Sequence, residues 1–131
     1  MIFVDTSFWV ASGMTEDRHH QRAAALLREH QAKQLLTTTL VRGETWTFLR
    51  RQAGRAAAVD FLDRLERSPR LRVVPFPNDL EDQALGWLRE RGEREYSYVD
   101  ATSFVVMRRL RIRQALAFDG DFAAAGFTEL K

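Results

Sequence analysis

A chain of 131 residues, 45% hydrophobic and 29% charged, has the size of one domain and can bury a core without staples. Disulfide frameworks and thiolate metal sites are excluded by the absence of cysteine, and no stretch approaches the roughly 18 apolar residues of a membrane span. The net charge is only +2, yet lysine occurs solely as Lys33 and Lys131, so 18 of the 20 basic residues are arginine. Arginine suits phosphate because its planar fork donates two parallel hydrogen bonds, although a GC-rich coding sequence produces the same bias. The apolar start lacks a basic leader and is interrupted by Asp5, so a signal peptide is not expected and a cytoplasmic location is.

The chain opens with "IFV" and Asp5, read as a short buried strand over residues 2–5, with a helical turn from Ser7 to Ser12. A helix over 16–31 would align Ala23, Leu26, Leu27 and His30 on one face. "QLLTT" (34–38) reads as a second strand, Thr39 as the cap of a helix to Gln52, and 55–67 as a further helix with Phe61, Leu62 and Leu65 buried. "LRVVPF" (71–76) is a third strand. Asn78 is read as the cap of a helix carrying Leu80, Ala84, Trp87 and Leu88, with Gly92 ending it. A helix over 98–110, a strand "QALAF" (114–118), a short turn or helix at 120–125 and an edge strand "FTEL" complete the chain. No repeat or Gly/Ser linker divides it, so residues 1–131 are expected to form one domain. Strands alternating with helices predict a mainly parallel sheet covered on both sides, an α/β/α sandwich.

In such sheets ligands collect at the carboxyl ends of the strands, where Asp5 and Asp119 both fall. Three acids have ordinary structural readings as well. Asp5 is a favoured helix cap, Ser97 and Asp100 have capping-box spacing, and Asp119 belongs to an Asp-Gly turn. Glu44 is harder to explain, because Val41 and Phe48 at helical spacing place it on an apolar stripe. Two carboxylates 4 Å apart repel by roughly 4 kcal/mol at an effective dielectric near 20, so a gathering of acids requires a counter-charge. A hard divalent cation supplies it, and Mg²⁺, with Mn²⁺ as a substitute, prefers carboxylate and water oxygens. Asp5 is then a metal ligand, with Thr6 and Ser7 placed to orient it.

These stretches together resemble the PIN-domain ribonucleases, and among them the VapC-type toxins of toxin–antitoxin pairs. "FVDTSFWVA" is similar to the family's first motif, "TTTLVRGETWTFLRR" to its second, "YSYVDATSFVVMRRLRI" to its third and "ALAFDGDF" to its last. The resemblance makes Asp5, Glu44, Asp100 and Asp119 the four site acids, with Asp5, Asp100 and Asp119 as metal ligands directly or through water, Glu44 as a further ligand or as the base that positions the attacking water, and Asp121 as an auxiliary. One departure stands out: Ala117-Phe118 occupies a stretch where family members often carry Thr or Ser. The resemblance implies metal-dependent hydrolysis of an RNA phosphodiester that leaves phosphate on the 5′ end. It further implies a small VapB-like antitoxin that occludes the acidic pocket, and a homodimer.

An RNA partner calls for positive surface, and "RRLRIR" (108–113) and "RRQAGR" (50–55) are the candidates. Trp46 and Tyr96 adjoin Glu44 and Asp100 in sequence and are candidate base-stacking rings, with core packing as the competing role. A histidine metal site is not expected from His19, His20 and His30, since the first two diverge on a helix. The nearest rival enzymes, haloacid-dehalogenase-like phosphatases and receiver domains, need a second acid near Asp5 and a well-placed lysine; Ser7 stands two residues on, and neither lysine fits. The rival from another class is a catalytically silent RNA- or protein-binding module of the same fold.

Overall fold

The computed structural model describes residues 1–131. Five strands form one parallel sheet in the order β3-β2-β1-β4-β5. β1 (Ile2–Val4) and β2 (Leu35–Thr38) are buried throughout, as expected of strands covered on both sides. β3 (Leu71–Val74) and β5 (Thr128–Leu130) form the edges, and β4 (Gln114–Leu116) lies between β1 and β5. Phe3 pairs with Leu36 on one side and Ala115 on the other, which makes β1 the centre of the sheet.

Seven helices flank the sheet: α1 (Thr6–Gly13), α2 (His20–Glu29), α3 (Thr39–Gln52), α4 (Arg55–Arg67), α5 (Glu81–Glu90), α6 (Tyr98–Leu110) and the short α7 (Asp121–Ala124). α1 packs against α2 and α3, α3 against α4, and α5 against α6. A continuous core of 29 buried residues runs through both strands and helices, from Phe3 and Phe8 to Phe104 and Phe122. The chain fills one side of β1 with β2 and β3, then returns to lay β4 and β5 on the other. The gap between β1 and β4 is therefore the switch point of the sheet, where parallel α/β folds place their ligands.

Most predicted elements are present, and their differences have local causes. Asp5 leaves β1 and caps α1, accepting a hydrogen bond from the Ser7 N–H. The chain from Met14 to His19 turns instead of starting α2, because the Asp17 carboxylate accepts from the His19 N–H at 2.8 Å. Thr38, one residue before the expected Thr39, caps α3 by accepting from the Val41 N–H. Pro75 has no N–H for the sheet and ends β3 early. Asn78 opens a 3₁₀ turn over Asn78–Leu80 without capping α5, and α5 stops at Glu90 before Gly92.

Candidate active site at the carboxyl edge of the sheet

Asp5 is 2% exposed at the end of the central strand. Its Oδ2 accepts from the Ser7 N–H (3.1 Å) and the Ser7 hydroxyl (2.8 Å), which leaves Oδ1 without a protein partner. Ser7 Oγ in turn accepts from the Phe118 N–H at 3.0 Å, so one hydroxyl braces the ends of β1 and β4 together. The Asp5 N–H donates to the Leu116 carbonyl at 3.1 Å and closes the same seam.

Asp100 occupies the third position of α6 and completes the expected capping box. The Ser97 hydroxyl accepts from the Asp100 N–H, and Asp100 Oδ2 accepts from the Ser97 N–H, both at 2.9 Å. The structural and functional readings of Asp100 thus coexist, because the cap fixes the side chain while its other oxygen is left without a protein partner. Asp119 and Asp121 follow β4 on a turn in which Gly120 adopts φ +83, and Asp119 Oδ1 accepts from the Asp121 N–H. A side chain at Gly120 would meet Arg94 Nη2 at 3.3 Å in a conformation that L residues rarely adopt. Carboxylate oxygens of Asp100, Asp119 and Asp121 lie within 4.8 Å of one another.

The electrostatic cost of this gathering is visible in the acids themselves. Burial pushes Asp5 up to about 8, aided by the charges of Asp119 and Asp100 and opposed by the Ser7 hydrogen bonds. Burial likewise raises Asp100 to about 6, and Asp119 and Asp121 add to the shift. Asp119 is exposed as a residue, yet partial dehydration of its carboxylate, followed by the charges of Asp121 and Glu129, raises it too. Arg94 is the one cation bonded to the group, donating from Nε to Asp121 at 2.7 Å and from Nη2 to the Asp119 carbonyl at 3.1 Å.

Asp5, Glu44, Asp100, Asp119 and Asp121 line a single pocket of about 530 Å³, inside the ~300–1,000 Å³ usual for ligand sites. Thr6 lines it as well, and its buried hydroxyl has no hydrogen-bond partner. Glu44 requires a correction. The buried stripe of α3 is Val41, Thr45 and Leu49, while Glu44 is half-exposed and Phe48 exposed toward the pocket side. Helical spacing placed the acid on the wrong side of the stripe by one residue step.

The basic runs do not supply the pocket's positive charge. Arg109 pairs with Asp79, and Arg108, Arg111 and Arg113 line a groove with Gly126 and Thr128 at the opposite end of β4 and β5. Arg18, which the sequence did not single out, and His19, weighed there only as a metal ligand, are the basic residues lining the acid pocket. The His19 ring lies parallel on Phe118 with 4.4 Å between centroids. The helix expected over 16–31 gave no sign of this placement, which follows from the turn at Met14 to His19. Tyr96 is not free to stack on a base either, since it packs edge-on against Trp87 and Phe104, and Trp46 is partly buried against the core.

The model of the PIN domain matches residues 2–128. The chain belongs to the PIN-domain family. This PIN domain is 50% identical over 131 residues to the 23S rRNA-specific endonuclease VapC20 of Mycobacterium tuberculosis, spanning 100% of this chain and 98% of that protein. The crystal structure of VapC20, described as a sarcin–ricin loop cleaving toxin, superposes with a TM-score of 0.92 at 48% identity, covering 99% of this chain and 98% of that one. FitAcB from Neisseria gonorrhoeae shares the fold, with a TM-score of 0.71 at 17% identity over 100% of this chain and 97% of that chain. Full-length similarity to VapC20 places this PIN domain among the VapC-type toxins.

Proposed function

We propose that the chain is a metal-dependent endoribonuclease, the toxin of a toxin–antitoxin pair, working as one domain over residues 1–131. One observation carries the catalytic reading: acids from β1, α6 and the turn after β4 meet at the switch point of the sheet with Asp5, Asp100 and Asp119 all held above the usual carboxylate range. The donor set fits a hard divalent ion. It consists of carboxylate oxygens with no imidazole or thiolate among them, beside an orphaned Thr6 hydroxyl.

Asp5, Asp100 and Asp119 would hold Mg²⁺ or Mn²⁺, with Asp121 and Thr6 as auxiliaries. Bound there, the ion supplies charge compensation for the phosphodiester and the Lewis acidity that favours attack by water. The remaining work belongs to the side chains. Glu44, on α3 across from the trio, takes the proton of the attacking water. Water adds to phosphorus, the bond to the 3′ oxygen breaks, solvent water protonates the departing 3′ oxygen, and a 5′-phosphate and a 3′-hydroxyl result. Ser7 fixes Asp5 against β4, and Ser97 fixes Asp100, so neither ligand has to be ordered when the substrate arrives. Arg18 offers a donor to a phosphate entering over the acids.

Similarity to VapC20 supports the sarcin–ricin loop of 23S ribosomal RNA as substrate. The same resemblance supports a VapB-like antitoxin that covers the acid pocket with a basic side chain, a homodimer and a cytoplasmic location. No helix is long and apolar enough to cross a membrane. The test is cleavage of ribosomal RNA and of a loop-containing fragment by purified chain with Mg²⁺, Mn²⁺ or EDTA, Asp100→Asn serving as the control for contaminating nuclease. Metal-dependent cutting that disappears in the variant is the expected result. A folded, antitoxin-free chain that cuts neither substrate with either ion would overturn the catalytic assignment and leave a binding module.

A further inference from the structure

An acidic pocket is a poor place to hold RNA by its phosphates. Seven carboxylate residues line it against Arg18 and His19 alone, so affinity for the substrate has to come in part from something other than charge. The neutral part of a nucleotide is its base, and bases bind to aromatic faces.

Phe48 supplies such a face. Of the nine phenylalanines it alone is exposed, with 43% of its surface accessible, and it lines the acid pocket one turn after Glu44 on α3. Its surroundings on α3 are polar: Thr47, Arg50, Arg51 and Gln52 are all exposed, so the ring is not part of a continuous apolar patch of the kind that docks a protein chain. A second flat surface lines the same pocket. His19 lies parallel on Phe118, and Phe118 is stacked in turn on the buried Phe8 at 5.6 Å. That three-ring column ends beside Asp119 and is anchored in the core.

We infer that Phe48, together with the His19–Phe118 pair, forms a stacking subsite that takes one unpaired RNA base beside the acid cluster. The inference rests on the nuclease reading and adds the substrate feature that the pocket selects. A base can enter only when it is not paired and stacked in a helix, so the subsite favours loops and bulges over duplex of the same sequence. Phe48 is a positioning residue: it seats the nucleotide next to the scissile phosphate and touches none of the reacting atoms.

The test is binding of a fluorescently labelled single-stranded RNA to the full-length chain with Ca²⁺ in place of the catalytic ion, comparing wild type with Phe48→Ala, Phe48→Leu and Phe48→Trp. Because Phe48 is exposed, all three are expected to fold. Stacking on one base is worth about a tenfold change in affinity, so Ala and Leu should both weaken binding by about that factor while Trp retains it. Leucine matching wild type would reduce Phe48 to a merely apolar contact and overturn the subsite. Unchanged RNA affinity in Phe48→Ala, together with a weakened dimer in sedimentation, would assign the ring to a second copy of the chain instead. The two readings fail separately. A wild-type chain that cuts RNA while Phe48→Ala binds normally loses only the subsite, and one that binds through Phe48 yet never cuts loses only the catalysis.

Discussion

The two ends of the sheet treat charge in opposite ways. At the amino end, Arg70 and Arg108 find their partners inside the chain. Arg70, just before β3, donates to the carbonyls of Leu27, His30 and Lys33 and so closes the end of α2. Arg108 reaches toward the Ala125 carbonyl and lies over the Phe127 ring. At the carboxyl end, acids are crowded together and Arg94 alone is bonded to them. The first arrangement serves stability; the second leaves negative charge for something outside the chain to balance. The arginine-rich composition therefore does not mark the functional edge.

The most drastic way to break this contrast is to remove an acid. Asp100→Asn keeps a hydrogen-bonding cap on α6, and cleavage should fall by more than about a hundredfold, exceeding the 10–100-fold typical of residues that only support a ligand. Quantitative RNA cleavage together with a circular dichroism spectrum checks both halves. Retained cleavage would remove Asp100 from the mechanism.

Crowded acids should also make stability depend on pH. Asp5 and Asp100 ionise at about 8 and about 6 in the folded chain, against 3.8 without the fold. Between those values the folded state binds more protons than the unfolded one, so stability falls as pH rises. The metal-free chain should therefore lose Tm between about pH 4 and pH 8, and Mn²⁺ should restore most at the alkaline end, where the ligands are free of protons. Thermal melts with EDTA and with Mn²⁺ decide it, and a flat metal-free profile would mean that the acids are not strained. Asp5→Asn should flatten that profile and weaken the response to Mn²⁺.

At the other end of the sheet, Arg70→Ala should cost about 1–3 kcal/mol by removing the side-chain donor to the Leu27 carbonyl of α2 and to the His30 and Lys33 carbonyls beyond it, with catalysis per folded molecule unchanged. Urea titration and cleavage assays would show that division, and lost catalysis at full folding would erase the distinction between the two ends. The smallest effect is expected from Arg94→Met. Its ion pair with Asp121 is partly exposed and worth about 1 kcal/mol or less to the fold, yet freeing Asp121 should change Mn²⁺ affinity a few-fold, readable by titration calorimetry.

Much of the fold was legible because the signals were local and strong. "IFV" and "LLTT" read as buried strands, and α4 and α6 run over the residues that their periodicity marked. Errors fell where a side chain competes for backbone hydrogen bonds: Asp17 delays α2, Thr38 takes the cap expected of Thr39, and Asn78 opens a 3₁₀ turn. Each is a choice between near-equal local partners, and packing decides it.

By itself the sequence determined the kind of fold, a parallel sheet with acids after its first and fourth strands, and it carried the four family motifs. Those properties depend on residue type and spacing within short stretches. Which rings and charges share the pocket was decided only by the tertiary structure. Glu44 moved off the core stripe, Tyr96 went into an aromatic cluster, and Phe48, Arg18 and His19 came to line the acids. Those neighbours lie far apart in sequence, from Asp5 to Asp121, and only the closure of β1 against β4 brings them to one edge.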